Sequence, residues 1–250
     1  MLLYKFNIYM SSMFDLLMEL PLFRGVSHDT MKNIVGMAKF HFLKYPEGAV
    51  VVKENSPCTH ITFVISGSVR LTTTNNNGRI SVSQTLRAPD VIAPDFLFGR
   101  ATNYPCRAVA LEPSGVLQIS KADYIKILNA DPVFMFNYLN IISMNAQKSV
   151  VGLMSLTSGS LEERIAFWVI ALTQPSGENI AIECPLRNLC AIWGVQRSAL
   201  VDALTRMRDY GVESFGPSGV VFSSRKKLLD MLQEHPEMGG SNGENVDEKS

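Results

Sequence analysis

Between Phe40 and Ile119 the hydrophobic and polar positions follow a period of two, broken by turn residues at short intervals. Ala49 to Val52, His60 to Ile65, Ser68 to Thr73 and Ile80 to Leu86 read as strands. Lys44-Tyr45-Pro46-Glu47-Gly48, Ser66-Gly67 and Asn75-Asn76-Asn77-Gly78 separate them. Several short strands with turn signals at close spacing predict a small β-sandwich or barrel, and a jelly-roll-like core fits best.

The period then lengthens. Ser120 caps a short helix, and Asp131-Pro132 opens a long one, with proline at the first helical position where its missing N–H costs nothing. The helical pattern persists to Ser158-Gly159-Ser160, a rod of about 26 residues, roughly 39 Å long. Its apolar stripe is Met135, Leu139, Ile142, Ala146, Ser149, Leu153 and Leu156, stepping by four and three as a heptad seam does. Such a seam predicts a homodimer, the alternative being a helix packed on its own β-domain. Ala146 and Ser149 are small enough to leave room for a ligand.

Ser158-Gly159-Ser160 reads as a hinge, and Leu161 to Thr173 as a helix with Ile165, Trp168, Val169 and Leu172 inward. Ile180 to Cys184 reads as a short strand. From Arg187 to Tyr210 the chain reads as a helix, a tight turn at Gly194 and a longer helix whose apolar stripe is Leu200, Ala203, Leu204 and Met207. Arg197, Ser198, Val201, Asp202 and Thr205 lie off that stripe, on a face narrow enough for a DNA major groove. Val212 to Phe215, a four-residue turn Gly216-Pro217-Ser218-Gly219, and Val220 to Phe222 predict a hairpin. A helix-turn-helix followed by a hairpin is the winged kind; two helices flanking a glycine also occur in many α-rich domains that bind no DNA.

Composition narrows this reading. Net charge is zero and 46% of residues are hydrophobic, ample for packed cores. Charge is uneven: Arg187 to Lys227 carries seven Arg or Lys against three acids, while Glu234 to Ser250 carries five acids and one Lys. The first places a basic excess on the DNA-binding candidate; the second predicts a disordered acidic tail. Cys58, Cys106, Cys184 and Cys190 show no C-x-x-C spacing, so neither a zinc nor an iron-sulfur site follows, and they read as free thiols in a reducing cytosol. Lys5, Asp15 and Glu19 interrupt the apolar N-terminus, which reads as a packing segment and amphipathic helix, neither a secretion signal nor a membrane span. His41 and His60 lack the H-x-H spacing of a cupin metal site, and no phosphate loop, nucleophile elbow or H-E-x-x-H is present. The expectation is no enzyme.

In this order, Lys44-Tyr45-Pro46, Gly67-Ser68-Val69, Asn77-Gly78-Arg79, Asp90-Val91-Ile92, Asp131-Pro132 and Gly194-Val195-Gln196-Arg197 resemble the CRP/FNR family of bacterial transcription regulators over about residues 14 to 232. The resemblance implies an α+β chain: a double-stranded β-helix (jelly-roll-like) effector domain over 14–130, a dimerisation helix over 131–157, a winged helix-turn-helix over 158–232 and the tail over 233–250. It implies a cytoplasmic, effector-responsive homodimer that binds a two-fold-related operator and acts with RNA polymerase. Residue by residue, Arg197 falls where the family reads its first base, while Ser198 and Asp202 stand where other members have Glu and Arg, so the operator should differ from the usual one. Gln196 replaces a Ser cap and is placed to reach a phosphate; Thr205, Arg206 and Lys226 complete the expected DNA-binding set. The expected dimer contacts are Met135, Leu139, Ile142, Ala146, Leu153 and Leu156.

The effector region departs from the cyclic-nucleotide members, which place Gly-Glu and Arg-Ser where this chain has Ala93-Pro94 and Tyr104-Pro105. A cyclic phosphate needs a cation and backbone N–H donors, so the expectation is no cAMP. No N-terminal cysteine cluster supports an iron-sulfur centre. The expected pocket is apolar, drawn from Phe96, Phe98, Tyr104, Ala146, Ser149 and Val150. The chain is similar to the branch regulating the hybrid-cluster protein, which implies haem and a nitrosative-stress response, with Met144 as the candidate haem ligand. The alternatives are an apolar core with no ligand and a sensor whose output is protein contact.

Overall fold

The computed structural model describes residues 15–75, 77–157 and 159–234. The chain divides into two units, Met1–Gln147 and Lys148–Ser250, so the division falls inside the long helix rather than at either end of it. The acidic tail beyond 234, the N-terminal packing segment before 15, and Asn76 and Ser158 of the expected turn and hinge lie outside the described residues.

In the first unit a helical turn at 15–19 and a 3-10 turn at Pro21–Phe23 precede α1 (His28–Met37). Eight strands follow: β1 (Phe40–Tyr45), β2 (Val50–Val52), β3 (His60–Ser66), β4 (Ser68–Thr74), β5 (Ser81–Arg87), β6 (Asp90–Ile92), β7 (Arg107–Ala110) and β8 (Ser114–Ser120). They form the antiparallel β-roll that the period of two predicted. One layer runs β1, β8, β3, β6; in the other β5, β4, β7 and β2 lie side by side. Phe63 stands opposite Leu117 and Val69 opposite Leu86. All four side chains are buried in one core, into which Phe23 and Phe134 pack edge to face. That apolar burial, roughly 25 cal/mol per Å², holds the layers together.

Ser120 caps α2 (Lys121–Ala130), accepting from the Asp123 amide at 3.1 Å. Asp131 Oδ1 accepts from the Val133 amide at 2.9 Å where α3 (Pro132–Met154) begins. Proline therefore opens the rod as expected, but the rod ends three residues earlier than the pattern predicted. Its inward stripe is Phe134, Tyr138 and Asn145, all buried, with Ile141 and Ile142 against the core. Ile142 is thus a correction to the expected seam: it packs on the β-roll of its own chain. Met135, Leu139, Ala146, Ser149 and Leu153 are exposed, Leu153 at 70%, and Leu156 is half-buried.

In the second unit the end of α3 meets α4 (Leu161–Leu172). Gly152 makes the approach: a Cβ there would collide with the Ala171 Cβ and lie 3.2 Å from the Phe167 carbonyl oxygen. α4 starts at a capping box in which Ser160 and Glu163 satisfy each other's backbone amides. It buries Ile165, Ala166, Val169 and Ile170, while Trp168 is half-buried and Leu172 exposed. The expected inward face was therefore rotated toward Leu172 by mistake; Ala166 and Ile170 hold that position. β9 (Glu178–Glu183), β10 (Val212–Gly216) and β11 (Gly219–Ser224) form a sheet in the order β10, β11, β9. Gly216 pairs with Gly219, so the hairpin closes on Pro217-Ser218, tighter than the four-residue turn expected. α5 (Leu186–Trp193) and α6 (Arg197–Arg206) precede the hairpin, and α7 (Arg225–Glu234) follows it.

Candidate nucleic-acid interface and effector region

Gly194 ends α5 in the left-handed conformation, φ +64°, and both its amide and that of Val195 return to the Cys190 carbonyl. A side chain at that φ is strained, which is why a glycine stands there. The chain then extends through Gln196, whose side chain makes no cap hydrogen bond. α6 buries Leu200, Ala203 and Leu204, and Met207 follows in the core. Gln196, Arg197, Ser198, Asp202 and Thr205 are exposed. Burial on one side therefore fixes which side chains α6 presents outward; of the five the periodicity selected, Arg197, Ser198, Asp202 and Thr205 are exposed and Val201 is half-buried.

Two of the expected contacts are already engaged. Thr205 Oγ1 donates to the Val201 carbonyl at 2.7 Å, a bond back onto its own helix. Arg206 Nε donates to Glu162 Oε1 at 2.6 Å, so its guanidinium is an ion-pair partner of α4. Lys226 is exposed on the first turn of α7.

Of the seven basic residues between 187 and 227 all but Arg225 are exposed, although some are engaged within the unit. Arg208 lies 5.7 Å from the Phe215 ring of the wing. Arg225 points its Nε at the Ile170 carbonyl, 3.5 Å away, and its burial lowers the guanidinium pKa. Arg187, Arg197, Lys226 and Lys227 remain exposed. Arg164, which sequence reading passed over, braces the unit: Nε donates to the Leu156 carbonyl at 2.8 Å, and a terminal nitrogen donates to the Trp193 carbonyl at the end of α5. A cation suits a helix C-terminus. Trp168 packs edge to face on Trp193, ring centroids 5.4 Å apart.

In the β-roll unit, the loop after β6 begins with Ala93 at φ +44° and a 3-10 turn over Pro94–Phe96. It is fastened to α3. Tyr138 donates its hydroxyl to the Pro94 carbonyl at 2.9 Å, and Asn145 Nδ2 lies 3.3 Å from Asp95 Oδ1. Phe98 meets Tyr138 edge to face under the Lys121 ammonium. The loop faces the rod at Tyr138 and Asn145. Tyr104 is buried, its hydroxyl donating to the His60 carbonyl at 3.0 Å and lying 3.1 Å from Thr62 Oγ1. Phe96 and Phe98 are half-buried against the core, and Ala146, Ser149 and Val150 are exposed. The six residues expected to line one pocket therefore divide between core and surface.

Met144 is 56% exposed and stands about 100° around the helix from Asn145, so it does not face the aromatic loop. Burial pushes the Cys106 thiol up to about 12 and raises Cys58, so both are protonated at neutral pH. All four cysteines are free. Among the described residues no group of three or more His, Cys, Asp or Glu is placed to hold a metal ion, and no helix is long and apolar enough to cross a membrane.

The first unit thus joins a β-roll, through the capped α2, to the long rod α3. Residues 42–131 match the cyclic nucleotide-binding domain family. The chain is 23% identical over 217 residues to the cyclic AMP receptor protein of Thermus thermophilus, spanning 85% of this chain and 96% of that one. Solved structures similar to it include the catabolite activator protein of Thermus thermophilus, 19% identical over 86% of this chain and 99% of that chain with a TM-score of 0.48. The sensor domain of the regulator DNR from Pseudomonas aeruginosa is 20% identical over 54% of this chain and 89% of that chain, TM-score 0.48. Residues 42–131 are thus similar to a cyclic nucleotide-binding domain, and most of the chain is similar to a CRP-type regulator. A fold does not fix its ligand.

Proposed function

We propose that the protein is a homodimeric, sequence-specific DNA-binding transcription regulator of the CRP/FNR type, working in the cytoplasm with RNA polymerase and controlled by an effector other than cAMP. The observation that carries this reading is α6. One side of it is buried, and the other presents Arg197, Ser198 and Asp202 to solvent beyond the Gly194 turn and beside a hairpin. A guanidinium at the start of such a helix suits the O6 and N7 edge of guanine, whereas the Asp202 carboxylate accepts only from cytosine or adenine amino groups.

The test is selection of an operator from randomised duplexes, followed by binding of the wild-type protein and Arg197→Ala. The substitution should cost about 1–3 kcal/mol on the selected site and relax base preference there. Equal binding by both proteins, or selection that yields no common sequence, would show that α6 does not read bases.

Phe96 and Phe98, half-buried beside the rod, favour an apolar effector. Haem held by the exposed Met144 thioether would sit on the outer side of α3, away from the aromatic loop, so haem and an apolar ligand at the loop are separate cases. Visible absorption on mixing with haemin should show a Soret shift that Met144→Ala alters; an unshifted spectrum removes haem.

A further inference from the structure

The second unit contains a cavity of about 220 Å³ that the DNA-binding reading leaves unused. Ser160, Glu162 and Glu163 line it from the start of α4, Arg206, Met207 and Tyr210 from the end of α6 and the turn after it, and Met231 from α7. Met207 and Met231 are buried and give it an apolar floor. Methionine is the side chain that adapts most readily to a flat guest. A cavity of about 150 Å³ already holds benzene, so this one has room for a ring and a short chain.

The charges at its wall decide what the chain should carry. Glu162 is paired with Arg206. Glu163 is buried, and its Oε2 accepts from the Ser160 amide at 2.7 Å and hydroxyl at 3.0 Å, hydrogen bonds that satisfy the carboxylate without neutralising it. Two carboxylates against one guanidinium leave the wall with a net negative charge, which favours a cation and opposes an anion.

We infer that this cavity is a binding site for a small arylalkylamine, with its ring between Met207 and Met231 and its ammonium at Glu162. The ammonium competes with Arg206 for the Glu162 carboxylate. Because Arg206 closes the helix that presents Arg197, occupation also frees a guanidinium at the end of α6. That consequence for DNA rests on the function proposed above; the binding itself does not.

The experiment follows the methionine methyl signals of the full-length protein by NMR, without DNA, during titration with 2-phenylethylamine and separately with 3-phenylpropionate. Saturable shifts confined to the Met207 and Met231 methyls, given by the amine and not by the acid, support the site. Glu162→Gln, at a partly exposed position that tolerates exchange, should weaken the amine by roughly tenfold through the lost charge-assisted contact. Met231→Phe should abolish the shifts by filling the space, with an unchanged unfolding temperature or circular dichroism showing that it folds. Amine and acid binding alike, no shift at millimolar amine, or full binding to Glu162→Gln would each overturn the inference. A protein that binds the amine yet selects no operator would retain the site and lose the DNA reading.

Discussion

Single side chains in this protein were legible in proportion to how local their constraint is. Gly194 was identifiable because a tight turn between two apolar stripes demands a residue that adopts positive φ, and its φ is +64°. The ion pair of Arg206 was not legible, because nothing in the spacing of α6 tells that Glu162, forty-four positions earlier, will meet its guanidinium. Tyr104 and Cys106 were read as loop and thiol, yet both lie in the core and burial raises the pKa of both. Cys106 has a consequence for stability. Its folded pKa of about 12 lies above its ordinary 9.0, so the folded state keeps a proton that the unfolded chain releases first. The associated stability is fully present below pH about 9 and is lost as pH rises toward about 12. Unfolding of the wild type should therefore release one proton more in that window than unfolding of Cys106→Ala. Denaturant midpoints measured from pH 8 upward should fall more steeply for the wild type; parallel curves would mean that the thiol is not protected.

Whole elements were clearest where one periodicity ran uninterrupted. The period of two between Phe40 and Ile119 gave the β-roll, and the steps of three and four after Pro132 gave the rod, because each reflects burial on one side. The pairing order of the strands was not readable, since β3 lies between β8 and β6 only through contacts distant in sequence. α7 was missed because its two buried residues, Leu228 and Met231, sit among Arg225, Lys226, Lys227 and Asp230, a stretch that reads as a charged surface. The capping box at Ser160 and Glu163 was present in the sequence as S-x-x-E and was obscured by the flexible look of Ser158-Gly159-Ser160. On α4 the apolar residues surround the helix almost completely, so periodicity alone left Leu172 and Ile170 equally plausible as inward positions. Gly152 decided that packing through its lack of a side chain, a feature a search for hydrophobic stripes passes over.

At the scale of the whole molecule, the unanswered demand is the outer side of α3. Phe136, Leu139, Val150, Leu153 and Met154 are between 53% and 71% exposed. So much apolar surface along one helix marks an interaction site rather than a surface meant for water. The heptad steps through Leu139 and Leu153 argue that a second α3 covers it, pairing two copies and setting two α6 helices against successive half-sites about one DNA turn apart. Ile142 packs on its own β-roll, so a pairing surface on this rod would be centred on Leu139 and Phe136 instead. Leu139→Glu with Leu153→Glu should leave each chain folded, because both positions are exposed in the single chain, and should convert a dimer to a monomer in sedimentation. Loss of the second half-site should then lower affinity for a two-fold operator by roughly a hundredfold or more, while binding to an isolated half-site stays as it was. If the double variant sediments like the wild type, the pairing surface lies elsewhere. If both are monomeric and bind the operator equally, two-fold recognition through α3 is wrong, and the output would have to be sought in protein contact.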